Sequence, residues 1–235
     1  MLQKLTNAFF PAVCPICGKI PGGGRKICEE CRKDIVVIGN PKCVKCGKPL
    51  MSEERLYCND CSRKKHFFEK GVSVFEYSGV FRESLYRFKY GNAREYADFY
   101  GSVAADIYGR TVIGWKIHVI IPVPMYYRKE IKRGYNQAQV FAKSLSRYTH
   151  IGINEKCLIR KKNTLPQKEL NDEMRKENLF KAFGVDKDQM SGCKNVLLVD
   201  DIYTTGSTID ACAKVLLAAG AERVYFICIS AGKDL

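Results

Sequence analysis

Residues 196–208 read Val196-Leu197-Leu198-Val199-Asp200-Asp201-Ile202-Tyr203-Thr204-Thr205-Gly206-Ser207-Thr208. The four apolar residues at the front have the length and character of a buried strand, and two carboxylates follow where that strand should end. A turn rich in hydroxyls, with one glycine, comes next. Beyond it an apolar-periodic segment from Ile209 to Ala219 reads as a helix. Backbone N–H groups in such a turn, with the positive end of the following helix, suit a phosphate dianion. Asp200 and Asp201 can accept from the hydroxyls of a sugar or ligate a magnesium ion. The plain alternative is an ordinary strand–turn–helix junction with an acidic cap. Such junctions rarely carry two carboxylates followed by Thr-Thr-Gly-Ser-Thr. A P-loop fits less well, because no G-x-x-x-x-G-K-[ST] run occurs in the chain.

Working outward, 235 residues with 46% hydrophobic content leave room for one moderate domain with a real core and one small domain. No apolar run reaches the length of a membrane span, so membrane insertion is not expected. At the amino terminus Leu2, Leu5 and Phe9 suggest a short amphipathic helix stopped by Pro11, too short an apolar stretch for a secretory signal. A cytoplasmic location is expected. The formal net charge of +14 is unevenly spread. Residues 1–70 hold 14 Lys/Arg against 7 Asp/Glu, and residues 120–181 hold 14 against 6. The second basic region could line a pyrophosphate site or form a track for nucleic acid, against a background of ordinary solvated lysines.

The front of the chain is organised by cysteine. Eight of the 12 cysteines form four Cys-x-x-Cys pairs, Cys14/Cys17, Cys28/Cys31, Cys43/Cys46 and Cys58/Cys61. Cys-Pro-Ile-Cys-Gly-Lys and Cys-Val-Lys-Cys-Gly-Lys repeat almost the same knuckle, so the two halves look duplicated. Soft thiolates in sets of four select zinc and make closed structural sites. A disulfide framework is disfavoured without a secretion signal, repeated glycine knuckles argue against a redox pair, and an iron–sulfur cluster is the alternative to the favoured zinc. The expectation is two zinc ions paired in sequence order, with a cross-braced pairing as the alternative. Lys42, Lys45 and Lys48 around the second knuckle, and Arg63, Lys64 and Lys65 after it, could meet nucleic-acid phosphates or water. Cys157, Cys193, Cys212 and Cys228 sit in apolar settings and read as core.

A basic junction at residues 62–70 sets the expected division into a zinc-ribbon domain, 1–66, and an α/β domain, 67–235. Val72 to Tyr77 alternates as a strand, and Phe81 to Tyr90 reads as a helix ended by Gly91, placing Lys89 where a phosphate could reach it. A second helix is expected from about Arg94 to Tyr108. His118 to Val123 reads as the opening strand of a parallel sheet. It is followed by Pro124 and a basic loop containing Arg133-Gly134-Tyr135-Asn136-Gln137, and then by a helix to Tyr148. Ligands of open α/β sheets bind at the carboxyl ends of strands, so Arg133 is a candidate for pyrophosphate; an exposed arginine at a helix end is the alternative. Leu158-Ile159 suggests a further strand, and the segment after Arg160 has no clean periodicity. Arg223 to Ile229 reads as a last buried strand, completing an alternation typical of a parallel sheet.

The stretch at 196–208 resembles the phosphoribosyl-diphosphate (PRPP) motif of type I phosphoribosyltransferases. That resemblance implies ribose hydroxyls on Asp200 and Asp201, the 5′-phosphate cradled by Thr204, Thr205, Gly206, Ser207 and Thr208, and Mg2+ bound with the PRPP. It also implies a mobile loop closing over substrate, in which Gln167 and Arg175 could take part. The four cysteine pairs, Pro122-Val123-Pro124 with Arg133 to Gln137, Thr164-Leu165-Pro166-Gln167 with Arg175 and Asn178, and the Asp-Asp stretch together resemble the ComF (ComFC) family over nearly the whole chain. The resemblance implies a type I phosphoribosyltransferase-like parallel sheet flanked by helices behind a double zinc ribbon. It further implies a place in bacterial competence, with single-stranded DNA and other DNA-uptake proteins as partners. Two functions of different class follow. One is a phosphoribosyltransferase acting on PRPP; the other is a non-catalytic DNA-handling protein that keeps the pocket as a sensor or scaffold.

Overall fold

The computed structural model describes residues 13–161, 181–190 and 192–234. The helix expected around Leu2, Leu5 and Phe9 and the loop residues Gln167 and Arg175 lie outside the described residues. Within the cysteine-rich region two short helices, α1 (Glu29–Asp34) and α2 (Asn59–Arg63), each begin directly after a cysteine, Cys28 and Cys58. The α/β part then runs β1 (Gly71–Glu76), α3 (Gly79–Tyr90), α4 (Tyr96–Gly114), β2 (Val119–Pro122), α5 (Tyr127–Arg133) and α6 (Gln137–Thr149). It continues with β3 (Leu158–Arg160), β4 (Phe183–Val185), β5 (Asn195–Tyr203), α7 (Ser207–Ala218) and β6 (Arg223–Ala231).

Four strands form one parallel sheet in the order β1-β6-β5-β2, so the Asp-Asp strand is central. β3 and β4 pair antiparallel as a separate ribbon, so Leu158-Ile159 does not join the main sheet. Apolar residues on both faces of a strand require cover on both faces, and β5 shows it. Val196 and Leu198 join Ile209, Cys212, Ala213 and Leu216 of α7 in one core. Leu197 and Val199 join Leu85 and Phe88 of α3, Phe99 and Tyr100 of α4 and Phe141 and Leu145 of α6 in the other.

The basic stretch after Pro124 differs from expectation. It is not a loop but a short helix, α5, which ends at Arg133, with Gly134 left-handed behind it. Pro124 and the unpatterned charges hide it, since seven residues crowded with charge carry little helical periodicity. The Asp-Asp strand is also longer than its apolar run, because β5 continues to Tyr203 and pairs Asp200 with Cys228 of β6.

The cysteine-rich segment is packed onto the sheet. Residues 36–38 pair antiparallel with β1, through Ile38 N–H to Val74 O at 2.9 Å and Glu76 N–H to Val36 O at 2.9 Å. At the opposite edge, Ile153 bridges to Ile120 of β2. Both edges of the sheet are thereby covered, which removes the unpaired rows that invite aggregation. Cys14, Ile16 and Cys31 belong to the core on the α3/α4 face, while Cys43, Cys46 and Cys58 belong to the core on the α7 face. The two knuckles therefore straddle the β1 edge. Gly47, at φ +72°, brings the second knuckle so close that a Cβ there would lie 2.8 Å from the Val72 Cα. Among the described residues no helix is long and apolar enough to cross a membrane.

Candidate functional site

The eight knuckle cysteines assemble in two sets in sequence order, Cys14/Cys17/Cys28/Cys31 and Cys43/Cys46/Cys58/Cys61, with all ligand atoms of a set within 4.8 Å of one another. The Cys17 and Cys28 sulfurs lie 3.7 Å apart and those of Cys46 and Cys58 3.6 Å apart. Four sulfurs at about 2.3 Å from one zinc ion stand about 3.8 Å apart, so both sets fit tetrahedral zinc. They are too far apart for disulfides, and all 12 cysteines are free thiols. Two structural zinc ions are what these sites fit, in the sequence-order pairing and not the cross-braced one. The lysines beside the second knuckle serve the fold. Lys48 is buried, with its ammonium 2.8 Å from Asp60; Lys42 donates to the Tyr108 hydroxyl at 3.3 Å; Lys45 lies over the Phe68 ring. Arg63, Lys64 and Lys65 are exposed, Lys64 with its ammonium 3.9 Å from Asp60.

The second site is built at the carboxyl end of β5. Asp200 and Asp201 are consecutive strand residues, and the Asp201 N–H donates to Asp200 Oδ1 at 2.8 Å. Lys89, one residue before the end of α3, sits 3.0 Å from Asp201 Oδ2 in a mostly buried ion pair. Burial, then the charge of Asp201, pushes the Asp200 carboxyl up to about 7, against the downward pull of the Asp201 amide, Lys89 and Arg160. Arg160, at the end of β3, is thus a cation of the site that sequence reading missed. Its one signal was its place between a short strand and a polar, aperiodic stretch. Its guanidinium also lies over the Phe183 ring at 5.1 Å.

After Tyr203 the chain turns through exposed Thr204 and Thr205 to Gly206, which holds φ +80° and precedes α7. Ser207 and Thr208 are half-buried, and the Thr205 and Ser207 hydroxyls share a hydrogen bond of 2.9 Å. No side chain caps α7, whose first internal bond runs from Asp210 N–H to Gly206 O. Its leading amides thus have no partner within the helix. Asp210, the first-turn acid, faces away from those amides. Its Oδ1 accepts from Phe67 N–H at 2.9 Å, and its Oδ2 lies 2.6 Å from His66 Nδ1.

The run Arg133 to Gln137 is chiefly a docking device. Tyr135 donates to Phe88 O, Asn136 caps α6 and donates to Val123 O at 3.0 Å, and Gln137 accepts from Arg133 at 3.1 Å. Arg133 also donates to the Tyr90 hydroxyl at 3.0 Å and lies over that ring. Tyr90 follows Lys89, so this contact ties Arg133, at the end of α5, to the end of α3 that carries Lys89. A cleft of about 590 Å3 opens beside Lys89 and Tyr90, and its lining includes Arg82, Glu83, Tyr86 and Ile202. Ile202 directly follows the acidic pair.

Tyr203 was also missed. Its ring stacks on Phe226 at 4.8 Å, and burial, together with the neighbouring Cys46, Cys61 and Cys58 sulfurs, pushes its ionisation far above the tyrosine range. The hydroxyl therefore stays protonated. Beside the Cys46 sulfur, it meets no hydrogen-bond partner of good geometry among the described residues.

The Double zinc ribbon domain family matches residues 5–62. The chain is 31% identical over 225 residues to Competence protein F of Haemophilus influenzae, covering 92% of this chain and 95% of that one. It is 29% identical over 204 residues to Competence protein ComFC of Bacillus subtilis, covering 83% and 79%. To DNA utilization protein YhgH of Escherichia coli it is 27% identical over 223 residues, covering 93% and 96%.

Proposed function

The chain belongs to the ComF family, and from that premise we propose that it binds PRPP with Mg2+ at the carboxyl end of β5 and serves in competence and the use of incoming DNA. The role in competence follows the names its relatives carry, competence proteins and DNA utilization proteins. One observation carries the PRPP reading. Two consecutive carboxylates end a central parallel strand, one of them held 3.0 Å from a lysine, immediately before a hydroxyl-rich turn and an uncapped helix start. In this reading Asp200 and Asp201 accept from the ribose hydroxyls, and Thr204 to Thr208 hold the 5′-phosphate with hydroxyls and backbone amides. Lys89, beside Asp201, and Arg133, bonded to the Tyr90 hydroxyl, would then serve the diphosphate. Mg2+, when bound with PRPP, would neutralise diphosphate charge. The chain's own work is to fix the sugar and to offer cations to a departing pyrophosphate. Gln167 and Arg175 remain candidates for a closing loop.

The test is 31P NMR of PRPP titrated with zinc-loaded protein. Mg2+-dependent shifts of the 5′-phosphate and diphosphate resonances are expected; an unshifted spectrum with folded protein overturns the reading.

A second reading, single-stranded DNA handling with the pocket as sensor, has its own support. α5 presents exposed Tyr127, Arg128, Lys129 and Lys132, with the Tyr126 and Tyr127 rings 5.0 Å apart. Cations interleaved with aromatic faces suit a nucleic-acid backbone with stacked bases. The two readings are compatible, since the patch and the acidic strand end use different residues.

A further inference from the structure

Tyr203 is the last residue of β5, and its hydroxyl occupies the boundary between the second cysteine set and the turn. On one side the residue lies in the core that also holds Cys43, Cys46, Cys58 and Ile209, with the Lys48 ammonium 5.9 Å from its ring centroid and Cys46 foremost among the sulfurs acting on its hydroxyl. On the other, a Cβ placed on Gly206 would fall 2.6 Å from that hydroxyl. The hydroxyl is buried without a hydrogen-bond partner among the described residues, an arrangement that costs stability unless an acceptor exists. A neutral thiol is a poor acceptor, whereas the thiolate of a zinc-bound cysteine is a strong one. The orphaned donor and the four-cysteine set thus explain each other.

The same half of the ribbon is tied to α7 a second time. Five residues after Cys61, His66 and then Phe67 are held by the Asp210 carboxylate, at 2.6 and 2.9 Å. His66 stacks on Phe68, which packs edge-on against both Tyr203 and Phe226. The turn from Thr204 to Gly206 is therefore held between two anchors, Tyr203 before it and Asp210 after it. Both anchors bear on the second cysteine set or on the segment leaving it. The first set belongs to the other core, across the sheet from α7.

We propose that Tyr203 donates a hydrogen bond to the zinc-bound Cys46 thiolate, and that through this residue zinc in the second site holds the Gly206 turn in its ligand-binding shape. Tyr203 is then a positioning residue for both sites. The claim about ligand binding rests on the PRPP reading given above, whereas the zinc–turn link does not.

The experiment compares the full chain with Tyr203→Phe, which keeps the ring and removes only the hydroxyl. Tyr100→Phe is the control, since it removes an equally buried hydroxyl, bonded to Ser84, on the opposite face. Chelator competition should strip one of the two zinc equivalents from Tyr203→Phe on the order of 10- to 100-fold more readily than from wild type, as loss of an outer-shell partner does. The other equivalent should be unchanged. Hydrogen exchange of residues 200–210 in the zinc-loaded, ligand-free protein should be faster in Tyr203→Phe and unchanged in Tyr100→Phe. Equal retention of both zinc ions, or equal turn exchange in the two variants, overturns the proposal. PRPP with Mg2+ is the third probe, and its affinity should fall in Tyr203→Phe only. If wild type itself binds no PRPP while the zinc and exchange results hold, the PRPP reading fails and the zinc–turn link stands.

Discussion

Asp200 is the residue on which the chemistry of the strand end turns. Its carboxyl is pushed up to about 7 by partial burial and by the neighbouring charge of Asp201, and Lys89 and Arg160 offset only part of that. A folded-state value raised above the unfolded one means that the fold holds the proton more tightly. The associated stability is present at acid pH and is lost as pH rises towards 7. Asp200→Asn should therefore stabilise the ligand-free protein at pH 8 by about 1–3 kcal/mol, a gain discounted for partial solvent access and shrinking towards pH 5. The same change should abolish PRPP binding. Thermal melts of both proteins at the two pH values check this; a variant less stable at pH 8 would contradict it. A stabilising substitution at this residue is what a carboxylate kept for ligand binding rather than for stability predicts. The acidic pair was legible in the sequence because carboxylates directly after an apolar run need a reason. Tyr203 was not, because an aromatic at a strand end looks like core until its hydroxyl is seen beside Cys46 and Gly206.

At the scale of elements, the central strand and its helix were readable from apolar runs and a glycine, since local pattern dictates them. The helix α6 follows the same rule, with Asn136 as its cap. Leu158-Ile159 was read as a strand, but its antiparallel partner β4 and helix α5 escaped, because a three-residue strand and a charged seven-residue helix carry almost no periodicity. Their positions depend on tertiary partners. α5 carries its own expectation. If its exposed cations meet single-stranded DNA, binding should weaken with a log–log salt slope of about −0.7 per phosphate neutralised. Arg128→Ala/Lys129→Ala/Lys132→Ala should make that slope shallower by roughly 2. An unchanged slope would remove α5 from any DNA surface. The lysines of the second knuckle are not equivalent candidates, because Lys48 is spent on Asp60 inside the fold and Lys42 on Tyr108.

The whole molecule is a parallel sheet whose β1 edge is clasped by a double ribbon, one knuckle in each core. Charge and composition spoke to neither arrangement; the duplicated cysteine pairs announced the metal sites but not their docking. Each site, loaded with zinc, would contribute on the order of 10 kcal/mol, comparable with the entire stability of a domain. Chelation should accordingly lower the melting of the sheet together with that of the ribbon, in one broadened transition. Circular dichroism and calorimetry with and without chelator test this, and an unaltered melt of the sheet would show that the ribbon is merely appended. The central claim remains the ligand at the end of β5. Its most direct test is calorimetric titration of PRPP, with and without Mg2+, into the zinc-loaded protein and into Asp200→Ala/Asp201→Ala. Metal-dependent binding by the first and none by the second is the predicted result. No binding by folded wild type, or equal binding by the variant, would contradict it.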